Sequence, residues 1–339
     1  MKISASIYSS SNKNLEENIR ILDELNIDMI HIDFNDKKSD EEKIFSDIKR
    51  IKSLSSIPID LHIISENPSK YFDYISDLKI EFVTFQYETI KEKFSVPSFK
   101  KTLIGIAVVS NTSIDIIEKY KNKIDFILLM TTTPGESGGK FNTKNFKKIR
   151  ECRAKYPKIK IHVDGGINDE LGFIMRILGV QACVSGSYLM NHRNIASALY
   201  VLKSSVVHSE YILKDFMINL GECPVLNIKE NSTKKALLTI EKYNLGFVMF
   251  TNDKGEYCGL VSNADIRKGI LNNFENFNKI DLDKLVNKKS ITINENCSIG
   301  EMLKIIQKND FIISFIPIID NKNKLTGCIT FWDLIISES

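Results

Sequence analysis

"MIHIDF", residues 29–34, is a short apolar run that places His31 and Asp33 two positions apart. In a β-strand that spacing directs both side chains to the same face. Seven more β-rich runs occur before residue 206, and segments with apolar residues at helical spacing, such as 14–25 and 144–155, separate them. The eight runs are KISASIY (2–8), MIHIDF (29–34), PIDLHII (58–64), FVTFQY (82–87), TLIGIAVV (102–109), FILLMT (126–131), KIHVDG (160–165) and ACVSGS (182–187).

Eight strand–helix units of this kind predict an α/β fold, a (β/α)8 TIM barrel over residues 1–205. A doubly wound open sheet is the alternative, because the pattern does not prove that the sheet closes. In a TIM barrel the chemically active side chains stand at the carboxyl ends of the strands. The polar and flexible residues at those ends are Ser6, His31, Asp33, His62, Gln86, Met130, Asp164, Gly186 and Ser187.

Two imidazoles and two carboxylates among these residues suit a divalent transition metal such as Zn, Fe or Mn. The predicted ligands are His31, Asp33, His62 and Asp164. Each of them alone has an ordinary explanation, such as a core histidine with a hydrogen bond or a turn-forming aspartate in VDGG. Together on one rim, buried groups of these types need partners, and one shared metal ion would satisfy all four.

Composition limits the classes of function. The 339 residues include 46 basic and 43 acidic side chains that are dispersed, which argues against a nucleic-acid partner. The six cysteines are scattered without a C-x-x-C pair, which favours a reducing compartment. No apolar run approaches the length of a signal or membrane segment, so we expect a cytoplasmic protein with no membrane partner.

The second half of the chain repeats itself. IKEN at 228–231 recurs as INEN at 293–296, and GLVSNAD at 259–265 recurs as GCITFWD at 327–333. The repeat predicts a duplicated α+β module over residues 206–339, with copies at about 215–272 and 280–339. The preceding segment SSVVHSEYILKDFMIN (204–219) lacks Gly and Pro, so we expect a helical connector there.

Five segments of the first half resemble the signature segments of ribulose-phosphate 3-epimerases, in order and spacing. They are IHIDFND (30–36), IDLHIISENP (59–68), FILLMTTTPGESGGKF (126–141), IHVDGGIN (161–168) and VSGS (184–187). The resemblance implies a metal-dependent barrel that inverts C3 of a ketose phosphate. It makes His31, Asp33, His62 and Asp164 the metal ligands, and Asp33 and Asp164 the two acid/base residues.

The resemblance also implies where substrate binds. Ser6 and Met130 match substrate-contacting residues of the family. Glycine pairs after the last three strands match its phosphate loops, in which backbone N–H groups cradle the phosphate. These phosphate-loop residues are Gly138, Gly139, Gly165, Gly166, Gly186 and Ser187.

Departures from the family concern the wall of the pocket. Asn35 and Ile64 stand where the family usually has methionines, and Gln86 replaces a usual histidine. KKSDEE (37–42) replaces the usual G-x-F-V-P, and Glu136 replaces an aromatic residue. This pattern predicts the same reaction on ribulose 5-phosphate or a related pentulose, hexulose or heptulose phosphate, and the altered wall favours a sugar other than ribulose 5-phosphate.

The duplicated tail resembles a tandem CBS (Bateman) module, and its first copy resembles CBS segments of arabinose-5-phosphate isomerases. The motif [ST]-x-x-D occurs in both copies, and the resemblance implies nucleotide binding by Ser262, Asp265, Thr330 and Asp333. We expect an adenine nucleotide or nucleotide sugar there, and a homo-oligomer. The alternatives are a pair that only dimerises, with each motif capping a helix, and a barrel that binds sugar phosphate as a sensor without turnover.

Overall fold

The computed structural model describes residues 1–12, 14–91, 94–135, 138–204, 209–230, 232–274, 280–309 and 313–332. Contacts between backbone positions divide this chain into two compact units. The first comprises residues 1–204 together with Trp332, and the second comprises residues 209–331. The predicted boundary near residue 205 falls in the segment 205–208, outside the described residues.

The first unit is a closed barrel of eight parallel strands in sequential order, as predicted. The strands are β1 (Lys2–Ser6), β2 (Met29–Asn35), β3 (Ile59–Ile64), β4 (Phe82–Gln86), β5 (Leu103–Val109), β6 (Phe126–Met130), β7 (Lys160–Asp164) and β8 (Ala182–Ser185). β1 pairs with both β2 and β8, which closes the sheet. The open-sheet alternative is therefore wrong.

Helices surround the barrel, and several begin with a side-chain cap that the sequence provides. They are α1 (Leu15–Glu24), α2 (Glu41–Leu54), α3 (Phe72–Asp77), α4 (Lys144–Lys155), α5 (Asp169–Ile177), α6 (Ser187–Met190) and α7 (Ile195–Lys203). Asp40 accepts a hydrogen bond from the backbone N–H of Lys43, and Asn168 accepts one from Leu171. Such caps satisfy N–H groups that the helix itself leaves unpaired. β4 and β5 are followed by 3-10 segments, Tyr87–Thr89 and Ile114–Lys119.

The second unit contains two short sheets. Its strands are β9 (Ile218–Asn219), β10 (Val225–Asn227), β11 (Phe247–Thr251), β12 (Tyr257–Ser262), β13 (Ile293–Asn294), β14 (Phe315–Ile319) and β15 (Leu325–Thr330). Its helices are α8 (Leu213–Phe216), α9 (Thr233–Tyr243), α10 (Asn263–Asn272), α11 (Leu282–Leu285) and α12 (Ile299–Gln307). The sheet orders are β10-β11-β12 and β13-β14-β15-β9.

The predicted duplication is present in the strand pairing. Phe247 pairs with Ser262 in the β11–β12 hairpin, and Phe315 pairs with Thr330 in the β14–β15 hairpin, 68 positions later in both strands. The irregularity in the first hairpin, between Phe250 and Thr251, recurs at the same offset in the second. The two hairpins therefore have the same strand register, including this irregularity.

The two copies also share one apolar core. Phe247 of the first copy stacks on Phe315 of the second, with ring centroids 3.9 Å apart. Around this stack lies a cluster of buried side chains from both copies. The cluster contains Cys223, Phe247, Met249, Leu260, Leu325 and Cys328.

The expectation of a helical connector over 204–219 is wrong for most of the described part. Only Leu213–Phe216 is helical, and Ile218–Asn219 is a strand that pairs with Gly327 and Cys328 of β15. Pairing of this segment with the edge of the sheet is favoured over helix formation, because short isolated helices are only marginally stable in water. Within the described ranges, no helix has the length and apolar character required to cross a bilayer.

Candidate metal centre and substrate cavity

The four predicted metal ligands converge at the carboxyl end of the barrel. In the strand register His31 of β2 lies beside Asp60 of β3, and Asp33 lies beside His62. Neighbouring residues of parallel strands point to the same face, so all four side chains enter the barrel interior. Asp164 ends β7 and approaches from the opposite wall, with its Oδ2 3.8 Å from His31 Nε2.

The donor atoms of this cluster are close enough for one ion. His31, Asp33, His62 and Asp164 each offer one ligand atom, and these atoms all lie within 4.8 Å of one another. His31 Nε2 is 3.5 Å from Asp33 Oδ1. Both histidine side chains are fully buried, whereas the Asp33 and Asp164 side chains are 28% and 14% exposed. Two nitrogen and two oxygen donors are a set that Zn²⁺, Fe²⁺ or Mn²⁺ accepts.

The protonation of His31 favours a metal at this point. Its Nδ1 lies 2.9 Å from Asp60 Oδ2, and the same carboxylate oxygen accepts a 2.9 Å hydrogen bond from Ser4 Oγ. A carboxylate can only accept, so Nδ1 carries the proton and Nε2 presents its lone pair. Nε2 is buried and has no hydrogen-bond partner among the described residues. A cation between this atom and the two carboxylates would satisfy it.

A second chain of hydrogen bonds orients His62. Gln86 Nε2 donates to Glu88, so Gln86 Oε1 faces His62 Nε2 at 2.9 Å and must accept its proton. His62 Nδ1 then lies 2.9 Å from Asp33 Oδ1. When His62 is neutral, its Nδ1 and the Asp33 Oδ1 are both hydrogen-bond acceptors. They need a shared cation or an added proton between them. The residue Gln86, which departs from the family, therefore still fixes a ligand.

Electrostatics of the cluster without an ion show the same need for positive charge. Burial disfavours protonated His31, yet Asp60 and Asp33 outweigh burial and raise its pKa well above the ordinary value. Burial also opposes ionisation of Asp33, but His31 and His62 outweigh it and lower the pKa of that carboxyl. Burial raises the pKa of Asp164 to about 6. The four side chains together therefore favour additional positive charge, which a divalent cation would supply.

A cavity of about 770 Å³ opens above the cluster. Asp33 and Asp164 line it, together with seven further residues that the sequence predicted. These are Ser6, Gly138, Gly139, Gly165, Gly166, Gly186 and Ser187. Met130 does not line this cavity: it is 1% exposed and packs inside the barrel with Ala107, Leu128 and Val184.

The glycines after β7 are required by close packing. Gly165 and Gly166 have positive φ angles of 115° and 68°, which other residues adopt only with strain. A Cβ atom on Gly165 would lie 2.2 Å from Thr132 Oγ1, and one on Gly166 would lie 2.5 Å from the Phe141 backbone nitrogen. The backbone here can therefore approach a ligand without intervening side chains, as a phosphate cradle requires.

The loop between β2 and α2, where the chain departs from the family, forms another wall of the cavity. The Asn35 carbonyl accepts hydrogen bonds from the backbone N–H groups of Lys38 and Ser39, which folds the loop into a tight turn. Asn35, Lys38, Ser39 and Lys43 all line the cavity. Ile64 is buried at 5% exposure. Glu136 lies outside the described residues.

Sequence reasoning missed the residues that orient the ligands. Asp60 lies two positions before His62 in PIDLHII, so strand alternation alone would have placed both in the interior. Glu88, which accepts hydrogen bonds from Gln86, Thr112 and the Val109 backbone, follows its strand in a 3-10 turn. No periodic pattern marks such a residue.

The predicted nucleotide motifs of the second unit have visible structural roles. Ser262 and Asp265 form a reciprocal cap at the start of α10, in which Asp265 Oδ2 accepts from Ser262 N and Oγ at 2.9 and 2.6 Å. Thr330 ends β15 and is 5% exposed. Asp333 lies outside the described residues.

Comparison with known proteins identifies relatives of both parts. The model of the Ribulose-phosphate 3 epimerase family matches residues 2–190, and the CBS domain model matches residues 282–337. The ribulose-phosphate 3-epimerase of Methanocaldococcus jannaschii is 28% identical over 226 residues, covering 64% of this chain and 95% of that protein. The Schizosaccharomyces pombe enzyme is 24% identical over 218 residues, covering 62% and 95%. The crystal structure of CBSX2 in complex with AMP is 17% identical and covers 38% of this chain and 96% of that one, with a TM-score of 0.32.

Proposed function

The chain belongs to the ribulose-phosphate 3-epimerase family of isomerases and carries a CBS domain, and on this premise we propose that its barrel is a metal-dependent 3-epimerase of a ketose phosphate. One observation carries the proposal. Two imidazoles and two carboxylates offer donor atoms within 4.8 Å of one another, and the lone pair of buried His31 Nε2 has no partner among the described residues. Such a set binds a divalent ion well.

The proton chemistry falls to Asp33 and Asp164. Both line the cavity, and they enter it from β2 and β7, which β1 and β8 separate in the barrel. Inversion next to a carbonyl needs removal of a proton from one face of C3 and its return to the other face. Two carboxylates that flank the substrate alternate as base and acid. The direction of the reaction decides which one acts first.

The remaining groups hold the substrate. A divalent cation, when bound by the four ligands, supplies charge that stabilises the enediolate. Asp60 and Gln86 hold His31 and His62 in the tautomers that present a lone pair to the cation. The backbone at Gly165 and Gly166 and at the other phosphate-loop residues receives the phosphate, and Ser6 contacts the sugar.

The substrate is a ketopentose phosphate or a longer relative. The altered wall at Asn35 and Lys38 supports a sugar other than that of the family, because these side chains are polar or cationic. A panel of pentulose, hexulose and heptulose phosphates is therefore the first experiment, with solvent-deuterium incorporation at C3 as the readout in the presence of Zn²⁺, Fe²⁺ or Mn²⁺.

Variants of the two carboxylates test the mechanism on whichever sugar exchanges. Asp33→Asn and Asp164→Asn should each abolish epimerisation. Asp40→Asn is the matched control: Asp40 lines the same cavity but caps α2, and asparagine caps equally well. Full activity in either of the first two variants would refute the two-base mechanism. Absence of exchange on every sugar, together with tight sugar-phosphate binding, would instead support a sensor.

For the second unit we propose that the CBS pair binds an adenine nucleotide or nucleotide sugar and that the chain forms a homo-oligomer. The motif residues Ser262, Asp265 and Thr330 at the starts of helices and ends of strands support this proposal. Calorimetry of the full chain with adenine nucleotides and with CMP- and GDP-sugars tests the ligand. Sedimentation equilibrium with and without the ligand tests the assembly. If none of these compounds releases or absorbs heat on mixing with the chain, the ligand proposal is wrong.

A further inference from the structure

A second cavity, of about 690 Å³, opens at the end of the barrel opposite the metal ligands. The first residues of strands line it, among them Lys2 of β1, Phe82 of β4 and Lys160 of β7. Its remaining walls come mostly from the segments that lead into the strands, with one residue each from α4 (Arg153) and α7 (Lys203). This end of a TIM barrel normally serves stability and carries no ligand site.

The lining of this basal cavity is strongly basic. It contains six basic side chains, Lys2, Lys121, Arg153, Lys158, Lys160 and Lys203, and two carboxylates, Asp28 and Asp125. Asp28 Oδ2 accepts from Ile3 N at 2.8 Å and pairs with Lys203, and Asp125 Oδ2 accepts from Ile104 N at 2.8 Å. Both carboxylates are therefore already engaged at the strand starts.

Three of the lysines have no anionic partner. Lys2, Lys158 and Lys160 make no ion pair with any residue in the described part of the chain, whereas Lys121 pairs with Glu118. Like charges that converge on one concave space repel each other, and the cavity concentrates their field. An anion that entered would relieve this repulsion.

A buried polar side chain also points to a ligand. His162 of β7 lines the cavity and is only 5% exposed. Its ring stacks on Phe126 with centroids 4.2 Å apart, and neither ring nitrogen has a hydrogen-bond partner among the described residues. An imidazole N–H that no protein group accepts can donate to an anion that enters the cavity.

We propose that this basal cavity binds a small anion that carries more than one phosphate group. Lys2, Lys158 and Lys160 supply the charge at its mouth, since ammonium groups bind phosphate as point charges. His162 donates a hydrogen bond from the inner wall. The site is independent of the epimerase proposal, because no residue that lines it lines the upper cavity.

Tripolyphosphate and ATP are the probes, titrated calorimetrically into the full chain at about 50 mM salt, where surface charges are little screened. Lys158→Glu/Lys160→Glu should weaken tripolyphosphate binding at least about tenfold, because two attractive charges become repulsive. The matched control is Lys49→Glu/Lys70→Glu, which makes the same change of net charge at exposed barrel lysines outside both cavities. The control should bind within about twofold of the unchanged chain.

Histidine resonances locate the bound anion. In the full chain labelled with ¹³C-histidine, tripolyphosphate should move the resonance that His162→Phe removes, and should leave those of His31 and His62 in place. ATP binding that Lys158→Glu/Lys160→Glu weakens and that is tighter than tripolyphosphate binding would assign a contact to the nucleoside. ATP binding that the same variant weakens and that equals tripolyphosphate binding would assign recognition to the phosphates. Both results support the site. Movement of His31 and His62 without His162, equal weakening in both double variants, or no binding of either probe would each overturn the inference.

Discussion

Asp60→Asn is the sharpest test of the proposed metal centre, because Asp60 orients a proposed ligand without being one of the four. Its Oδ2 accepts hydrogen bonds from His31 Nδ1 and Ser4 Oγ, both at 2.9 Å, and the residue is 3% exposed. Asparagine has the same shape and can still accept both bonds, so the fold should persist. The charge that strengthens the bonds and makes His31 a better ligand is lost.

The expected loss follows from the bond to His31, since the bond from Ser4 is the same with and without metal. A hydrogen bond to a charged group is worth about 1–2 kcal/mol more than a neutral one, which corresponds to roughly 5- to 30-fold in affinity. Loss of an outer-shell partner of a metal ligand typically costs about 10- to 100-fold in metal affinity, which agrees. We therefore expect Zn²⁺ affinity to fall by roughly 10- to 30-fold.

Competition of the full chain with a fluorescent chelator measures that affinity directly. Asp125→Asn is the control, since Asp125 is also an aspartate near a strand start, but its carboxylate accepts from the Ile104 backbone nitrogen and not from a predicted metal ligand. Unfolding followed by circular dichroism monitors stability in both variants. Unchanged Zn²⁺ affinity in Asp60→Asn, or an equal loss in both variants, would refute the reasoning.

Three further outcomes are expected. Gly166→Ala should raise KM for the sugar phosphate about tenfold in a steady-state assay, because its Cβ would meet the Phe141 nitrogen and backbone strain costs about 1–2 kcal/mol. Gly138 has open space around it, so Gly138→Ala should raise KM less in the same assay. Burial lowers the pKa of Lys148 to about 8, so above that pH the unfolded chain binds more protons than the folded chain. The free energy of unfolding, measured by urea titration and compared with that of Lys148→Met, should therefore rise from about pH 8 to 10. Asp265→Ala should lower the free energy of unfolding of the second unit by about 1 kcal/mol without any nucleotide, because the helix cap is lost. Unchanged unfolding in urea would contradict this structural role of Asp265.

Strand order and the site cluster could be predicted because both follow from alternation. His31 and Asp33 in β2 share a face by spacing, and the same rule places His62 and Asp164 at strand ends. Their convergence needs only the closure of the barrel. The same rule places Asp60 in the barrel interior, but Asp60 lies near the start of its strand, so it is not found among the polar residues at the strand ends.

Other features depend on distances that no pattern encodes. The link from His62 through Gln86 to Glu88 requires three side chains to meet within hydrogen-bond range. The strand at Ile218–Asn219 forms because β15 offers an edge more than a hundred residues later in the chain. Met130 shows a third limit, because position at a strand end did not reveal that its side chain packs below the cavity.

The shared core of the second unit has a consequence for how the chain folds and how it could be divided. Phe247 and Phe315 cover each other, so a fragment that contained only one copy would expose an aromatic ring and part of the surrounding cluster to water. The two copies should then unfold in a single cooperative transition, and neither should be recovered as a stable fragment. Proteolysis between them would release an aggregation-prone half rather than a smaller domain.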